Sequence, residues 1–252
     1  MVKKYFWKAF PIAGLIFLNG CSDPDSAAEK TKVQPVEKAP EKEVPVEKSP
    51  KVQLHAGLEK LTDIQAVDAT IQVSLKYATA DNFMGKRLYF DIDKLYLQPD
   101  VAERLAKCQQ ALKALHPEYS LLVYDGVRPL AVQQAMWDAL DSIPVAQRSK
   151  FVSNPANGSI HNYGAAIDLT ICDASGTPLD MGAGYDDIRE IAYPKLEAQF
   201  LLSGELTGQQ VDNRKLLRKV MASQRFTNIA TEWWHFNACS RAMAKQRYEL
   251  VK

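Results

Sequence analysis

The sequence predicts an α+β fold built on a central antiparallel sheet flanked by helices. Three observations predict it. Short apolar or aromatic runs at residues 121–124, 165–171 and 229–236 read as strands. Pro99 to Leu115, residues 131–140 and residues 214–223 carry apolar side chains at helical spacing. The strands do not recur at the long spacing of βαβ crossover units, which disfavours a doubly wound parallel sheet. The 252 residues leave room for a single folded domain with appendages, and that domain is residues 54–252.

Taken in order, the chain opens with a segment that is not part of the fold. Lys3, Lys4 and Lys8 precede an apolar run, residues 9–18, too short to span a bilayer as a stable helix. Leu18-Asn19-Gly20-Cys21 resembles a bacterial lipobox, which makes residues 1–20 a lipoprotein signal peptide and Cys21 the lipidated residue. Ser22 after it resembles the outer-membrane sorting pattern. The expected location is the periplasmic face of the membrane, held there by the lipid anchor only. Residues 21–53 are rich in Pro, Glu and Lys, with Pro35-Val36-Glu37-Lys38 returning as Pro45-Val46-Glu47-Lys48. Such a stretch cannot form a core and reads as an extended tether. The domain then begins with extended pieces, 64–67 and 71–75, where apolar residues alternate. Pro99 opens a helix whose inner face is Val101, Leu105, Cys108, Leu112 and Leu115. Leu121-Leu122-Val123-Tyr124 is a buried strand, and the helix after Pro129 turns Val132, Ala135, Met136 and Leu140 inward. Residues 187–200 are partly helical, and Leu216, Leu217 and Val220 face the core from residues 214–223.

Net charge is +1, so no basic surplus exists to neutralise phosphates, and nucleic acid is excluded as a partner. The four cysteines lack Cys-x-x-Cys spacing, which argues against a thiolate zinc site or a disulfide framework. Cys172 has no evident activating base.

The chemistry concentrates in Ser159 to Asp168. Asp168 lies between Ile167 and Leu169, where an ionised carboxylate needs a positive partner. His161 is a neutral nitrogen donor close by, and a metal cation accounts for both. Glu232-Trp233-Trp234-His235 supplies a third ligand, His235, and a candidate general base, Glu232. A catalytic zinc requires about three protein ligands, an open position and a carboxylate to take a proton from water. Residues three apart on an ideal strand face opposite sides, so Glu232 and His235 share a site only if the chain bulges between them. Arg128 stands extended before Pro129. It either stabilises an oxyanion or pairs with Asp125.

Asp125-Gly126-Val127-Arg128-Pro129, Ser159-x-His161-x-x-Gly164-x-Ala166-x-Asp168 and Glu232-Trp233-Trp234-His235 together resemble the VanX-type D-alanyl-D-alanine dipeptidases, zinc peptidases related to peptidoglycan D,D-carboxypeptidases. Tyr77-Ala78-Thr79, Asn82-Phe83-x-Gly85 and Tyr185-Asp186 agree. The resemblance spans residues 58–236. It implies one zinc per chain on His161, Asp168 and His235, Glu232 as base and Arg128 as oxyanion stabiliser, within an α+β zinc peptidase domain. It further implies Asp186 as receptor for the substrate ammonium, Ser159 near the substrate carboxylate and Tyr77 on the ammonium side. The plainer readings are that the Asp186-Asp187 pair caps a helix at Ile188 and that Tyr77 is core. Tyr163 and the short loop 141–153 depart from the family pattern at the pocket mouth. The implied activity is hydrolysis of the small dipeptide D-Ala-D-Ala to two D-Ala. The alternative is a zinc D,D-carboxypeptidase acting on stem peptides.

Overall fold

The computed structural model describes residues 55–252. The signal segment 1–20, Cys21 and the tether 21–53 lie outside the described residues. No helix among those described is long and apolar enough to cross a membrane.

The elements follow in order. β1 (Thr62–Asp63) leads into α1 (Ile64–Val67), then β2 (Gln72–Val73), β3 (Tyr96–Leu97) and the long α2 (Pro99–Leu115). β4 (Ser120–Asp125), α3 (Leu130–Ala139), α4 (Val145–Arg148) and β5 (Ala166–Cys172) follow. α5 (Glu197–Ser203), α6 (Gly208–Ser223), β6 (Thr227–Ile229), β7 (Glu232–Asn237) and α7 (Arg241–Arg247) complete the chain. The main sheet has the order β2-β4-β5-β7-β6. Every pairing in it is antiparallel except the edge pair β2–β4. The predicted antiparallel α+β sheet is therefore present, with one parallel edge.

α2 and α6 pack against each other, and the apolar core between them and the sheet includes Val101, Leu105, Cys108 and Leu112 with Ile167, Leu169, Leu217 and Val220. A second cluster around Tyr77, Tyr89, Val127, Val132, Met136 and Trp137 packs under the loops of the other side. Five local expectations change. Residues 64–67 form one helical turn because the Asp63 side chain accepts the Gln65 N–H, a cap that overrides the alternating pattern. Leu115, at the end of α2, is 47% exposed. On α3 the inward positions are Val132, Gln133, Met136 and Trp137, whereas Ala135 is exposed. Residues 229–236 are not one strand but parts of the β6–β7 hairpin. α6 begins at Gly208, six residues before the predicted Arg214, because Thr207 and Gln210 form a capping box.

Two adjacent ladders position the site. Asp168 on β5 is in register with Asp125 on β4 and with His235 on β7. Three polar residues thus form a row across the middle of the sheet, where cross-strand side chains lie about 5 Å apart.

Candidate metal centre and active site

His161 is delivered by a 3₁₀ turn, Ile160–Tyr163, capped at both ends. The Ser159 hydroxyl accepts the His161 N–H at 3.3 Å, and the Asn162 side chain accepts the Ser159 N–H at 2.6 Å. Gly164, at φ 62°, closes the turn in the left-handed region that a branched side chain resists. The turn is laced to the strand end that carries Arg128. Arg128 N–H donates to the His161 carbonyl at 3.1 Å, and Asn162 Nδ2 donates to the Arg128 carbonyl at 2.7 Å.

His161 Nδ1 lies 2.7 Å from the Gly126 carbonyl, which can only accept. The proton is therefore on Nδ1, and Nε2 presents a lone pair inward. His235 has the opposite arrangement. Its Nε2 donates to Asn237 Oδ1 at 2.9 Å, leaving Nδ1 facing Asp168 Oδ1 at 2.9 Å and His161 Nε2 at 3.2 Å. One ligand atom from each of His161, Asp168 and His235 lies within 4.8 Å of the other two. Partner groups behind both imidazoles are what a metal-binding histidine needs. The donor set, two imidazoles and one carboxylate, fits zinc.

Electrostatics favour a cation at this point. Burial alone raises Asp168, but the adjacent His161 and His235 outweigh it and hold its carboxyl well below the usual range. Burial lowers His235, but the hydrogen bond to Asp168 and its charge outweigh that and push the imidazole up to about 9. Without a metal, a proton takes the position between the ligands.

Glu232 Oε2 lies 3.8 Å from His235 Nδ1, so the two do share the site. The bulge that this requires is in β7. Asn228 on β6 opposes Phe236, yet its neighbour Ile229 opposes Glu232, leaving Trp233, Trp234 and His235 between the two pairings. Asn228 fills the gap: its Nδ2 donates to the Glu232 carbonyl at 2.9 Å and the His235 carbonyl at 2.8 Å. Trp234 lines the cavity. Trp233 does not line it; its indole N–H is held by the Ala183 carbonyl at 3.1 Å. Burial, then the charge of Asp168, raises the Glu232 carboxyl, opposed by His235, His161 and Arg128.

Arg128 combines both readings of the sequence. Its Nε and Nη2 are clamped on Asp125 Oδ2 at 3.0 and 2.6 Å, and Nη2 is 3.7 Å from Asp168 Oδ2. Asp125 also accepts from the Tyr89 hydroxyl at 2.6 Å. The clamp fixes the guanidinium on the cavity wall, above the Tyr77 ring. Tyr77 is both core and site: it is buried, and its hydroxyl donates to Asp186 at 3.1 and 3.3 Å. Asp186 sits at φ 61°, a conformation non-glycine residues seldom adopt. Burial and the charge of Asp168 raise its carboxyl to about 8, despite Arg128 and the Tyr77 hydrogen bond. The helix-cap alternative fails, because no helix starts at Ile188: the next element is the 3₁₀ turn Glu190–Ala192 without a side-chain cap, and Asp187 only accepts the Arg189 N–H at 2.9 Å.

All the residues predicted for the active site, Tyr77, Arg128, Ser159, His161, Asp168, Asp186, Glu232 and His235, line one cavity of about 200 Å³. The loop 149–153 forms part of its wall. Sequence reasoning missed Asn237, Tyr185 and Asn228. Asn237 was findable, because residues two apart on a strand share a face. Tyr185, whose hydroxyl donates to Asp168 Oδ2 at 3.1 Å, stands beside Asp186 in a motif already noted. Nothing in the sequence marks Asn228. Cys108 and Cys172 are buried, and Cys108, Cys172 and Cys239 are free thiols.

Comparison with known proteins bears on the same residues. The Peptidase_M15 family model, D-ala-D-ala dipeptidase, matches residues 58–252. A D-alanyl-D-alanine dipeptidase of Escherichia coli is 33% identical over 177 residues, covering 70% of this chain and 83% of its own. One from Enterococcus faecalis is 30% identical, covering 64% of this chain and 82% of its own. One from Synechocystis is 28% identical, covering 60% of this chain and 72% of its own.

Proposed function

The chain belongs to the D-Ala-D-Ala dipeptidase family of metallopeptidases, and from that premise we propose how its own residues perform the hydrolysis of D-Ala-D-Ala. The observation that carries the reading is the convergence of His161, Asp168 and His235 with Glu232 beside them.

His161 Nε2, an Asp168 oxygen and His235 Nδ1 would hold a zinc ion. A zinc ion held there would supply Lewis acidity toward a water molecule and the scissile carbonyl. Glu232 takes the proton from the attacking water and delivers it to the leaving amine, a task suited to a carboxyl whose affinity for protons is raised. Arg128, held rigid by Asp125, offers N–H groups to the developing oxyanion. Asp186 receives the substrate ammonium. An arriving cation replaces the proton that the raised carboxyl otherwise keeps. Tyr77 holds that carboxylate in place, and Ser159, whose oxygen caps the 3₁₀ turn, keeps its O–H for the substrate carboxylate.

The carboxypeptidase alternative needs room beyond Asp186, and a cavity of about 240 Å³ adjoins there. The assay that decides uses zinc-loaded protein with D-Ala-D-Ala, N-acetyl-D-Ala-D-Ala and L-Ala-L-Ala. Cleavage of D-Ala-D-Ala alone supports the dipeptidase; equal cleavage of the acetylated compound refutes it.

The N-terminal residues support an exported lipoprotein. Residues 1–20 would be removed, Cys21 lipidated, and the domain 54–252 held at the periplasmic face by the tether 21–53. Cys21→Ser should move the protein from the membrane to the soluble fraction. Retention at the membrane would count against the anchor.

A further inference from the structure

The catalytic cavity is the middle of three. It shares Asp186, Glu232, Trp234 and residues 149–151 with the cavity of about 240 Å³ on one side. It shares Ile160, Asn237 and Arg241 with a groove of about 940 Å³ on the other. The two outer cavities have no lining residue in common. Asp186 and Arg241 therefore mark opposite ends of the catalytic cavity. A dipeptide with its ammonium on Asp186 and its scissile carbonyl near Glu232 directs its C-terminal residue toward Arg241 and the groove.

That groove is basic. Its ionisable lining comprises Arg104, Arg225, Arg241 and Arg247 against Asp100, with a cysteine beside them. Asp100 is already engaged by Arg247 at 3.3 Å and by the Tyr248 hydroxyl at 2.9 Å. Arg104 donates to the Gln224 and Ala238 carbonyls and lies over Phe226. Arg225 and Arg241 have no carboxylate partner among the described residues, and both are exposed to solvent. Arg225 also ends α6 in the left-handed conformation, φ 61°, where glycine is the ordinary residue. Lys150 is the competing cation at the cavity wall, but it lines the Asp186 side and not the groove. Arg128 is committed to Asp125.

We propose that this arginine-lined groove is the subsite for the leaving residue, with Arg241 at its mouth and Arg225 within it facing that residue's side chain. The groove then makes dipeptides with an acidic C-terminal residue, such as D-Ala-D-Glu, substrates in preference to those with a basic one. The inference rests on the dipeptidase reading and extends it to the class of leaving residue. The chemistry is unchanged: the same amide bond is hydrolysed, and only the side chain of the departing amino acid differs.

The test measures kcat and KM of the full-length, zinc-loaded protein for D-Ala-D-Ala, D-Ala-D-Glu and D-Ala-D-Lys. D-Ala-D-Glu should exceed D-Ala-D-Lys in kcat/KM by about tenfold, the value of one charge-assisted contact, and the difference should lie in KM. Arg225→Gln and Arg241→Gln, both at exposed positions, should each shrink that ratio by about threefold or more. Lys150→Gln should leave the ratio standing. A wild-type ratio near one overturns the inference. So does a ratio that survives both arginine changes, or one abolished by Lys150→Gln alone. D-Ala-D-Ala separates the levels: turnover without side-chain preference sinks the groove alone, whereas no turnover of D-Ala-D-Ala sinks the dipeptidase reading with it.

Discussion

Two clusters of buried charge in this molecule are built on opposite principles. At the junction of α5 and α6, Glu197 is held by two hydrogen bonds from Arg218, at 2.7 and 2.6 Å, and lies 3.6 Å from Arg214. Arg214 Nε donates to the Met181 carbonyl and Nη1 to the Ile191 carbonyl, while Nη2 has no hydrogen-bond partner among the described residues. Charges there are compensated from within the chain. In the catalytic cavity, Asp125, Asp168, Asp186 and Glu232 face a single clamped guanidinium, Arg128, and two imidazoles. Arg128 is clamped on Asp125, which leaves Asp168 to the imidazoles and leaves Asp186 and Glu232 with raised proton affinities. A divalent ion and a substrate ammonium are their complement. The first cluster is a structural joint, and the second is a receptor for cations that the chain does not supply.

The sharpest way to break this distinction is to remove the base. Glu232→Gln keeps the shape and the three ligand residues. Turnover should fall about 10²–10⁴-fold, while zinc content measured on the purified protein stays at one per chain. Activity within tenfold of wild type would remove Glu232 from its role. Arg214→Met tests the other cluster. It leaves Glu197 to Arg218 and takes the donor from the Met181 and Ile191 carbonyls, and should cost about 1–3 kcal/mol of stability in denaturant unfolding. The molecules that remain folded should hydrolyse D-Ala-D-Ala at the wild-type rate per bound zinc. A specific loss of kcat would mean that the two clusters are coupled.

Asn228 belongs to neither cluster, yet it decides whether the second exists. Asn228→Asp replaces the donors that hold the Glu232 and His235 carbonyls with acceptors of the same shape. Zinc affinity and kcat should both drop by about 10–100-fold, as for other residues that orient metal ligands. Unchanged zinc affinity would show that the bulge holds without it.

Asn228 also marks where the sequence stops being legible. α2 was readable because its period is long and its start, Pro99, is chemically marked. Asp168 was readable because a charge between Ile167 and Leu169 demands an explanation. The need for a bulge between Glu232 and His235 followed from strand periodicity alone. Which residue makes it did not, because a bulge depends on register with a partner strand, and Asn228 looks like any polar residue on a hairpin. The helical turn at 64–67 was hidden for a related reason: one capping bond from Asp63 outweighed a pattern of weak preferences. The pairing of Asp125 with Arg128 appeared as an alternative to catalysis, and the structure makes it the means of holding the guanidinium in place.

The smallest expected effect has an unusual sign. Asp186 is raised to about 8 in the folded, metal-free protein by burial and by Asp168, while an unfolded aspartate titrates near 3.9. Between those values the folded state binds the extra proton. Stability is therefore fully present below about pH 4 on this account and is lost as pH rises toward 8. Asp186→Asn removes the titration. Metal-free Asp186→Asn should melt above wild type at pH 8, by about 2–4 °C if the relief is about 1 kcal/mol, with the gap closing toward pH 5. The same change should raise KM for D-Ala-D-Ala, because the ammonium loses its carboxylate. A variant that is both more stable and less able to bind the dipeptide is the signature of a receptor strained to wait for a cation. A variant destabilised at every pH would make Asp186 a structural residue and would leave the ammonium end of the site unassigned.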